Sequence, residues 1–495
     1  MRNSTRSQGG SMRISKNQSS NSGFLRSVYV LVSGTVASQM ILLLAAPLLT
    51  RLYSPQDFGL LAVFIAFLMF MSAVVSLRYE QAIPLPEDAR AGAALLVLSM
   101  AMAVLVATLL ALPTMWYAKE IAARLNVPGF AEYMFLVPAG ALLIGFYNVL
   151  SQWAIRTRQF GPLARTRVSQ SFLAIAIQLF GAPLGPVALL IGQVAGHGAG
   201  SVSLYLQGVS KHRPLLRSVG RRDLAQAAKR YRRFPLYASW GAMFNTIGSQ
   251  LPPLLFAALF SPALAGTYAL ANRVLSMPMQ VVGKAIANVF LAGAADARRE
   301  GRLGVFVARV HGKLSHIGMV PTLMLLMAGP EIFAFAFGIQ WREAGVFAQW
   351  LAPWLYLVFV TSPMSAVLDV LDRQAAAMAF QALLLAVRIA AILSGAWLGD
   401  ARLAIALFGM GSALCWLAQL AWIIRAADAH WRSMAMASAA ALAWGMTIVS
   451  PLIVTLYWDI ERVGQIDTAV WLMALALAGL LAIGRFTFLL KNAWS

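Results

Sequence analysis

Two basic side chains interrupt an apolar stretch in the second half of the chain, and together they could bind an anion. Arg273 and Lys284 are 11 residues apart, about three helical turns, so a helix would place them on nearly one face. Gln280 shares that face, and Asn288 lies one turn beyond Lys284. A guanidinium donates hydrogen bonds in pairs and suits a phosphate group. We therefore expect Arg273 and Lys284 to bind an anionic substrate.

The same residues also have a structural interpretation. Lys284 could extend to the membrane surface, and Arg273 could pair with a structural carboxylate or with backbone carbonyls. Arg388 lies centrally in another apolar stretch, and Arg78 ends the second such stretch beside Glu80. We count Arg388 and Arg78 among the candidate substrate-binding residues, although Arg78 and Glu80 could equally form a local ion pair.

Uncharged polar side chains also occur within the apolar stretches. We predict that five of them line a transport path: Gln39, Asn245, Gln250, Gln280 and Asn288. The alternative is that they hold neighbouring helices together through interhelical hydrogen bonds. His197 could relay protons or pack as a neutral side chain. The sequence predicts no catalytic group, no metal site and no cofactor, and it lacks the phosphate-binding glycine loop that an ATPase would use.

Composition decides what kind of molecule must position these residues. Hydrophobic residues make up 60% of the 495 residues and charged residues only 12%, whereas soluble domains average about 45–50% and about 25%. The apolar runs are long and continuous, unlike the alternating pattern of a membrane β-barrel. We therefore predict an all-α integral membrane protein. The single cysteine, Cys415, excludes a disulfide within the chain.

Charges, prolines and glycines divide the chain into 14 predicted transmembrane helices, or 12 if one C-terminal hairpin is misread. Residues 1–26 are basic and rich in Ser and Asn, so they are predicted to be disordered. The predicted spans lie at about 27–50, 58–77, 91–117, 130–152, two within 168–209, 235–260, 263–293, 314–337, 346–370, 375–398, 403–424, 434–457 and 468–490.

The distribution of Lys and Arg predicts the orientation. With the N-terminus in the cytoplasm, the inner segments hold 30 of the 39 Lys and Arg residues and the outer segments only six. This bias is typical of membrane proteins whose cytoplasmic loops are positive. We therefore predict an inner-membrane protein with both termini in the cytoplasm. The net charge of +21 then reflects topology and does not indicate a nucleic-acid partner.

A repeated pair of motifs suggests an internal duplication. Thr-x-x-Ser-Gln occurs at 35–39 and at 246–250, and Ser-Pro-x-x-x-Gly follows at 54–59 and at 261–266. Duplicated transporters bind substrate near the bilayer midplane between their repeats. The alternative is a coincidence among common residues. We predict two six-helix lobes plus a C-terminal helix pair, with the transport path between the lobes, where the family resemblance described below implies a central cavity. The predicted divisions are an N-lobe at 27–209, a basic cytoplasmic linker at 210–234, a C-lobe at 235–424 and the helix pair at 425–495.

The residues that begin each half resemble a known family. Gly34–Ile83 is similar to the Wzx-type flippases of the polysaccharide transporter family, part of the multidrug/oligosaccharidyl-lipid/polysaccharide exporter superfamily. The first half carries this resemblance in Ser38-Gln39, Pro47–Pro55, Phe58-Gly59 and Arg78–Ile83. The second half carries it in Arg233-Phe234-Pro235, Ser249–Pro252 and Tyr268–Val274.

The resemblance implies a flippase without catalytic activity. Its substrate would be an undecaprenyl-diphosphate-linked oligosaccharide, moved from the cytoplasmic to the periplasmic leaflet for O-antigen, capsule or exopolysaccharide synthesis. The implied partners are this lipid-linked glycan, membrane lipid and the polysaccharide polymerase machinery. Cationic lumens are typical of these flippases, and Arg273 and Lys284 are the positions to which the resemblance assigns that role.

Three other functions compete with this interpretation. A lipid II flippase has the same 14-span plan and a cationic cavity. A multidrug antiporter of the same superfamily would need carboxylates within its lobes, but the ionisable residues within the spans here are basic. A membrane enzyme that handles glycans would need a large outer loop, and the longest predicted outer loop has only about a dozen residues.

Overall fold

The computed structural model describes residues 9–278, 290, 293–294, 296–371, 373–462 and 468–491. These residues form helices and turns, with no strand among them. The chain forms two compact units. The first comprises Met1–Tyr53 and Leu60–Leu254, and the second comprises Ser54–Gly59 and Leu255–Ser495.

The first unit is built mainly from long apolar helices, with shorter polar helices between them. Two helices, α2 and α11, contribute residues to both units. The helices are α1 (Gly9–Leu52), α2 (Pro55–Val74), α3 (Ala89–Trp116), α4 (Ala118–Arg124), α5 (Phe130–Tyr133), α6 (Leu136–Arg156), α7 (Phe160–Phe180), α8 (Val187–Leu204), α9 (Arg213–Arg217), α10 (Arg221–Arg230) and α11 (Ser239–Leu259).

The second unit repeats this plan of long apolar helices. They are α12 (Pro262–Pro278), α13 (Leu303–Phe337), α14 (Arg342–Thr361), α15 (Val367–Val370), α16 (Gln374–Trp397), α17 (Ala401–Ala426), α18 (Trp431–Arg462) and α19 (Thr468–Lys491). Close packing between α14 and α17 depends on glycine, because a side chain at Gly409 would clash with the backbone of Trp350.

Ten helices in the described ranges are long and apolar enough to cross a membrane, so the chain is a multi-pass membrane protein. The prediction of an all-helical membrane fold is confirmed. The number of spans, 14 or 12, the inner-membrane location and the orientation of the termini stay predictions. Many apolar side chains on these helices are exposed, which is the expected surface of a protein solvated by lipid.

The first helix begins before the first predicted span. The structure continues α1 back to Gly9. Helix formation is costly to nucleate but cheap to extend, so an apolar span can carry a helical extension. The disorder predicted for residues 1–26 stays a prediction.

Both Ser-Pro-x-x-x-Gly motifs begin a helix in the same way. Ser54 and Asp57 cap α2 through reciprocal hydrogen bonds, and the Ser261 hydroxyl accepts a hydrogen bond from the Leu264 amide in α12. Each proline occupies the first helical position, where its missing N–H leaves no hydrogen bond unmade. The motif is therefore a helix start whose glycine falls one turn into the helix.

The two glycines of this motif meet within the second unit. A Cβ atom on Gly59 would lie far inside van der Waals distance of the Pro262 carbonyl, and one on Gly266 would clash in the same way with the Pro55 carbonyl. The backbones of the two helix starts therefore touch directly, which larger residues would prevent.

The segment predicted to be a basic linker is folded and belongs to the first unit. Its apolar residues, including Leu215, Leu224 and Ala227, pack against a core that contains Leu95 and Trp153. The unit boundary lies later, at Leu254 within α11. The lobe boundaries of the sequence analysis stay a prediction.

Candidate functional site

Arg273, the leading candidate, lies in α12 and is partly buried. None of the ion pairs among the described residues involves Arg273, and no described side chain forms a hydrogen bond or ring contact with its guanidinium. The pairing with a structural carboxylate that the sequence left open is therefore not found in the described part of the chain. Anion binding by Arg273 stays a prediction.

An apolar cavity of about 360 Å³ begins at the next two residues of α12. Val274 and Leu275 form one wall, and α13 and α14 form the others. Its lining is almost entirely hydrophobic: Val274, Leu275, Ile317, Gly318, Pro321, Thr322, Met324, Leu325, Ile332, Ala352, Leu355, Tyr356 and Phe359. Arg273 itself is not among these lining residues, but it precedes two of them in the same helix.

Arg388 has a different environment, formed by three helices of the second unit. Its guanidinium carbon lies 4.8 Å from the ring centre of Trp354 and 5.3 Å from that of Phe408. Its Nε donates a hydrogen bond to the Ser412 hydroxyl at 3.2 Å. Tyr268 from α12 packs edge-on against Phe408 at 5.8 Å. These rings and this hydroxyl solvate the charge inside the protein, as a structural residue would require. Substrate binding by Arg388 stays a prediction.

Arg78 lies in the turn after α2 and contacts Glu80. The closest nitrogen and oxygen of the pair are 3.7 Å apart, and the Glu80 carboxylate also accepts a hydrogen bond from Ser76 at 2.7 Å. Leu77 and Arg78 both have left-handed backbone angles, which are uncommon for residues other than glycine. The geometry matches the local ion pair that the sequence left open, and substrate binding by Arg78 stays a prediction.

Three of the predicted residues, Lys284, Gln280 and Asn288, lie outside the described residues. Gln39 is partly buried in α1, Gln250 is partly buried in α11, and Asn245 is exposed on α11. No described group hydrogen bonds to these three amides. An exposed amide within a membrane helix is costly unless water or a polar ligand reaches it, so Asn245 remains a candidate for the path.

His197 lies in α8 beside Tyr147 of α6, with ring centres 6.4 Å apart. Its Nδ1 atom and the Tyr147 hydroxyl are both buried, and neither has a hydrogen-bond partner among the described residues. A packed neutral histidine accounts for this arrangement, and a proton relay stays a prediction.

Arg167 lies within a helix, although the sequence predicts a cytoplasmic loop at this position. The structure starts α7 at Phe160, so Arg167 lies two turns inside the helix, and its guanidinium donates a hydrogen bond to Thr35. One turn further along α7, the hydroxyls of Ser171 and Ser38 lie 2.6 Å apart. The first Thr-x-x-Ser-Gln motif therefore holds α1 against α7. The four-residue spacing of Arg167 and Ser171, which places them on one face of a helix, is the sequence feature that could have indicated this contact.

The second copy of that motif makes no such contact with a described helix. The hydroxyls of Thr246 and Ser249 donate hydrogen bonds to backbone carbonyls of their own helix. Among the described residues, no group of three or more His, Cys, Asp or Glu side chains could hold a metal ion. The arrangement can therefore bind through charge, hydrogen bonds and apolar surface.

Three solved structures share this fold at low sequence identity. A structure described as the lipid II flippase MurJ in an inward closed conformation aligns with a TM-score of 0.70 and 10% identity, covering 94% of this chain and 100% of that chain. An inward-facing multidrug resistance MATE family transporter of the MOP superfamily aligns with a TM-score of 0.61 and 13% identity, covering 80% of this chain and 95% of that chain. A MOP superfamily transporter from Pyrococcus furiosus Vc1, described as having a binding pocket of reverse polarity, aligns with a TM-score of 0.53 and 14% identity. This alignment covers 82% of this chain and 96% of that chain.

The sequence comparisons place the chain in a family. No curated protein matches it at a significant level. The sequence pattern of one family, described as "Polysaccharide biosynthesis protein", matches residues 48–345, more than half of the chain. By this match, this chain belongs to the polysaccharide biosynthesis protein family.

Proposed function

We propose that this protein is a flippase that moves undecaprenyl-diphosphate-linked oligosaccharide units from the cytoplasmic to the periplasmic leaflet. The proposal is supported by Arg273 of α12, whose guanidinium has no counter-charge or side-chain hydrogen bond among the described residues. It is also supported by the apolar cavity that Val274 and Leu275 of the same helix help to line. A lipid-linked diphosphate has one strongly anionic group joined to a long apolar chain. A cation and an apolar cavity on one helix match the two parts of such a molecule.

The distribution of acidic residues favours an anionic substrate. The acids in described ion pairs lie near helix ends or in turns, as Glu80, Glu331 and Glu343 do. Drug cations would call for carboxylates within the spans, next to the substrate. Arg273 and Arg388 occupy such positions instead.

Transport in this direction needs no nucleotide. A membrane potential that is negative inside favours the outward movement of an anion by roughly 2.3 kcal/mol per charge per 100 mV. The chain also lacks a phosphate-binding glycine loop with its lysine. The protein then lowers the barrier by supplying a polar, cationic path for the diphosphate and the sugars.

A flipping assay in proteoliposomes tests the proposal. An undecaprenyl-diphosphate-linked sugar with a fluorescent label is added, and dithionite measures how much label reaches the outer leaflet. We expect wild-type protein to flip the lipid and Arg273→Gln to slow it by on the order of tenfold or more, since a hydrogen bond to a charged group contributes about 1.5–3 kcal/mol.

The matched control is Arg342→Gln, which removes an exposed arginine paired with Glu331 near the end of α13. It should leave the flipping rate unchanged. Two further substrates, lipid II and a cationic dye, distinguish the competing functions. Movement of lipid II alone would assign the protein to peptidoglycan synthesis, and movement of a cationic dye with no effect of Arg273→Gln would contradict an anion flippase.

A further inference from the structure

The cytoplasmic-side segment between α8 and α11 presents a dense positive surface, which we call the basic platform (residues 211–233). Nine of its side chains are Lys or Arg, and all nine are exposed. They are Lys211, Arg213, Arg217, Arg221, Arg222, Lys229, Arg230, Arg232 and Arg233.

The basic platform is held rigidly against the first unit. The apolar side chains of α9 and α10, such as Leu216 and Leu224, pack into the core with Leu95. Arg90 of α3 also donates hydrogen bonds from Nε and Nη2 to the Asp223 carboxylate, at 3.2 and 2.9 Å. Because the apolar face of α10 is used for packing, its cations are fixed on the opposite, outward face.

The one acid of the basic platform does not neutralise these cations. Asp223 accepts a hydrogen bond from the Gly220 amide and is engaged by Arg90, which lies outside the platform. The Gly220 amide and then the Arg90 guanidinium hold the pKa of Asp223 below its usual range, so the carboxylate stays charged and committed to Arg90. Nine positive charges therefore face outward without an acidic partner in the platform.

The helices that flank the basic platform expose apolar and aromatic side chains beside it. Leu206 precedes it, and Leu236, Tyr237 and Trp240 follow it, each more than half exposed. Tyr and Trp concentrate where a membrane span meets the lipid headgroups. This band places the cations at headgroup level, whereas a docking site for a soluble acidic protein would need no such band.

We propose that the basic platform binds the headgroups of anionic phospholipids at the membrane surface. The attraction is electrostatic, because the apolar face of α10 is buried in the protein and cannot insert into the bilayer. Bound anionic lipids would hold the first unit at a fixed depth. This inference depends on the charges of the platform alone and is independent of the substrate that the protein transports.

Native mass spectrometry of the full chain tests this inference. The protein is released from nanodiscs of equimolar phosphatidylglycerol and phosphatidylcholine, and the ratio of the two retained lipids is measured. In the variant R221Q/R222Q/K229Q, we expect the ratio of phosphatidylglycerol to phosphatidylcholine to fall by about fivefold or more. The loss of a single cation at an anionic surface already weakens the attraction by about that factor. R221K/R222K/K229R keeps the charge and should keep the wild-type ratio.

The matched control R51Q/K119Q/R124Q removes three exposed cations from segments predicted to lie on the other side of the membrane. It should leave the lipid ratio unchanged. An equal fall in the control, or no fall in the platform variant, would overturn the inference. An unchanged lipid ratio together with lost binding of a polyglutamate peptide would instead assign the platform to an acidic protein partner.

Discussion

Arg273 and Arg388 are both arginines in apolar helices of the second unit, α12 and α16, yet their surroundings differ. Arg388 lies between the rings of Trp354 and Phe408 and donates a hydrogen bond to Ser412. Arg273 has no ring, hydroxyl or carboxylate partner among the described residues. The guanidinium of Arg388 is solvated by the protein, and that of Arg273 is the one that we propose binds the substrate.

The geometry of α12 explains how one helix serves both environments. Tyr268 packs towards the aromatic rings around Arg388, and Arg273 follows five residues later. Five residues on a helix correspond to a rotation of about 140°, so the two side chains leave α12 in different directions. Residue type alone therefore does not assign a function to a membrane arginine, because what surrounds the guanidinium decides it.

The largest expected effect is on stability, from Arg388→Ala. This change removes both cation–π contacts and leaves the Ser412 hydroxyl without its donor, so we expect the free energy of unfolding to fall by about 2–4 kcal/mol. Unfolding in detergent with increasing denaturant measures the loss. The flipping rate per folded molecule should stay within about threefold of wild type. A fully stable Arg388→Ala protein that cannot flip its substrate would reverse the roles assigned to the two arginines.

Gly266→Ala perturbs the helix start that positions Arg273. The added methyl group would clash with the Pro55 carbonyl, and Gly266 lies seven residues before Arg273, nearly on the same face of α12. We expect a stability loss of about 1–3 kcal/mol together with slower flipping, because overpacking shifts the backbone. Gly129→Ala is the matched control, since nothing lies within 4 Å of its added methyl group. Equal effects of the two changes would contradict the close contact.

A third change, Arg273→Lys, separates charge from hydrogen-bond geometry. Lysine keeps the positive charge but loses the paired donors that match a phosphate. We expect the flipping rate to fall by about tenfold while the unfolding free energy stays within about 0.5 kcal/mol of wild type. Arg388→Lys should show the opposite pattern, with a loss of stability and little change in rate. Full activity of Arg273→Lys would mean that charge alone is sufficient.

Much of the fold could be predicted because hydropathy is local. The apolar runs predicted the helical membrane fold, and the predicted span at 58–77 overlaps α2. The start of α7 was placed too late because Arg165 and Arg167 lie within the helix itself. Charges near a span end predict a loop, although a hydroxyl such as that of Thr35 allows Arg167 to lie within the helix.

The candidate site was less accessible to sequence reasoning because it depends on contacts between distant segments. Trp354 and Phe408 lie 34 residues before and 20 residues after Arg388, and no local pattern marks them as its partners. The repeated motif was found from sequence. The contact between its two glycines was not, because spacing along the chain does not report which backbones touch in space.

The smallest expected effect comes from Ser412→Ala, which tests the hydroxyl beside Arg388 without touching either arginine. The change removes one hydrogen bond, 3.2 Å long, to the Arg388 Nε. We expect the unfolding free energy to fall by about 0.5–1.5 kcal/mol and the flipping rate to stay the same, since both rings remain in place. Ser433→Ala removes an exposed hydroxyl that donates a hydrogen bond to the nearby His430 carbonyl, and it should have almost no effect. If Ser412→Ala slowed flipping at unchanged stability, Arg388 would belong to the transport path, and its contrast with Arg273 would not hold.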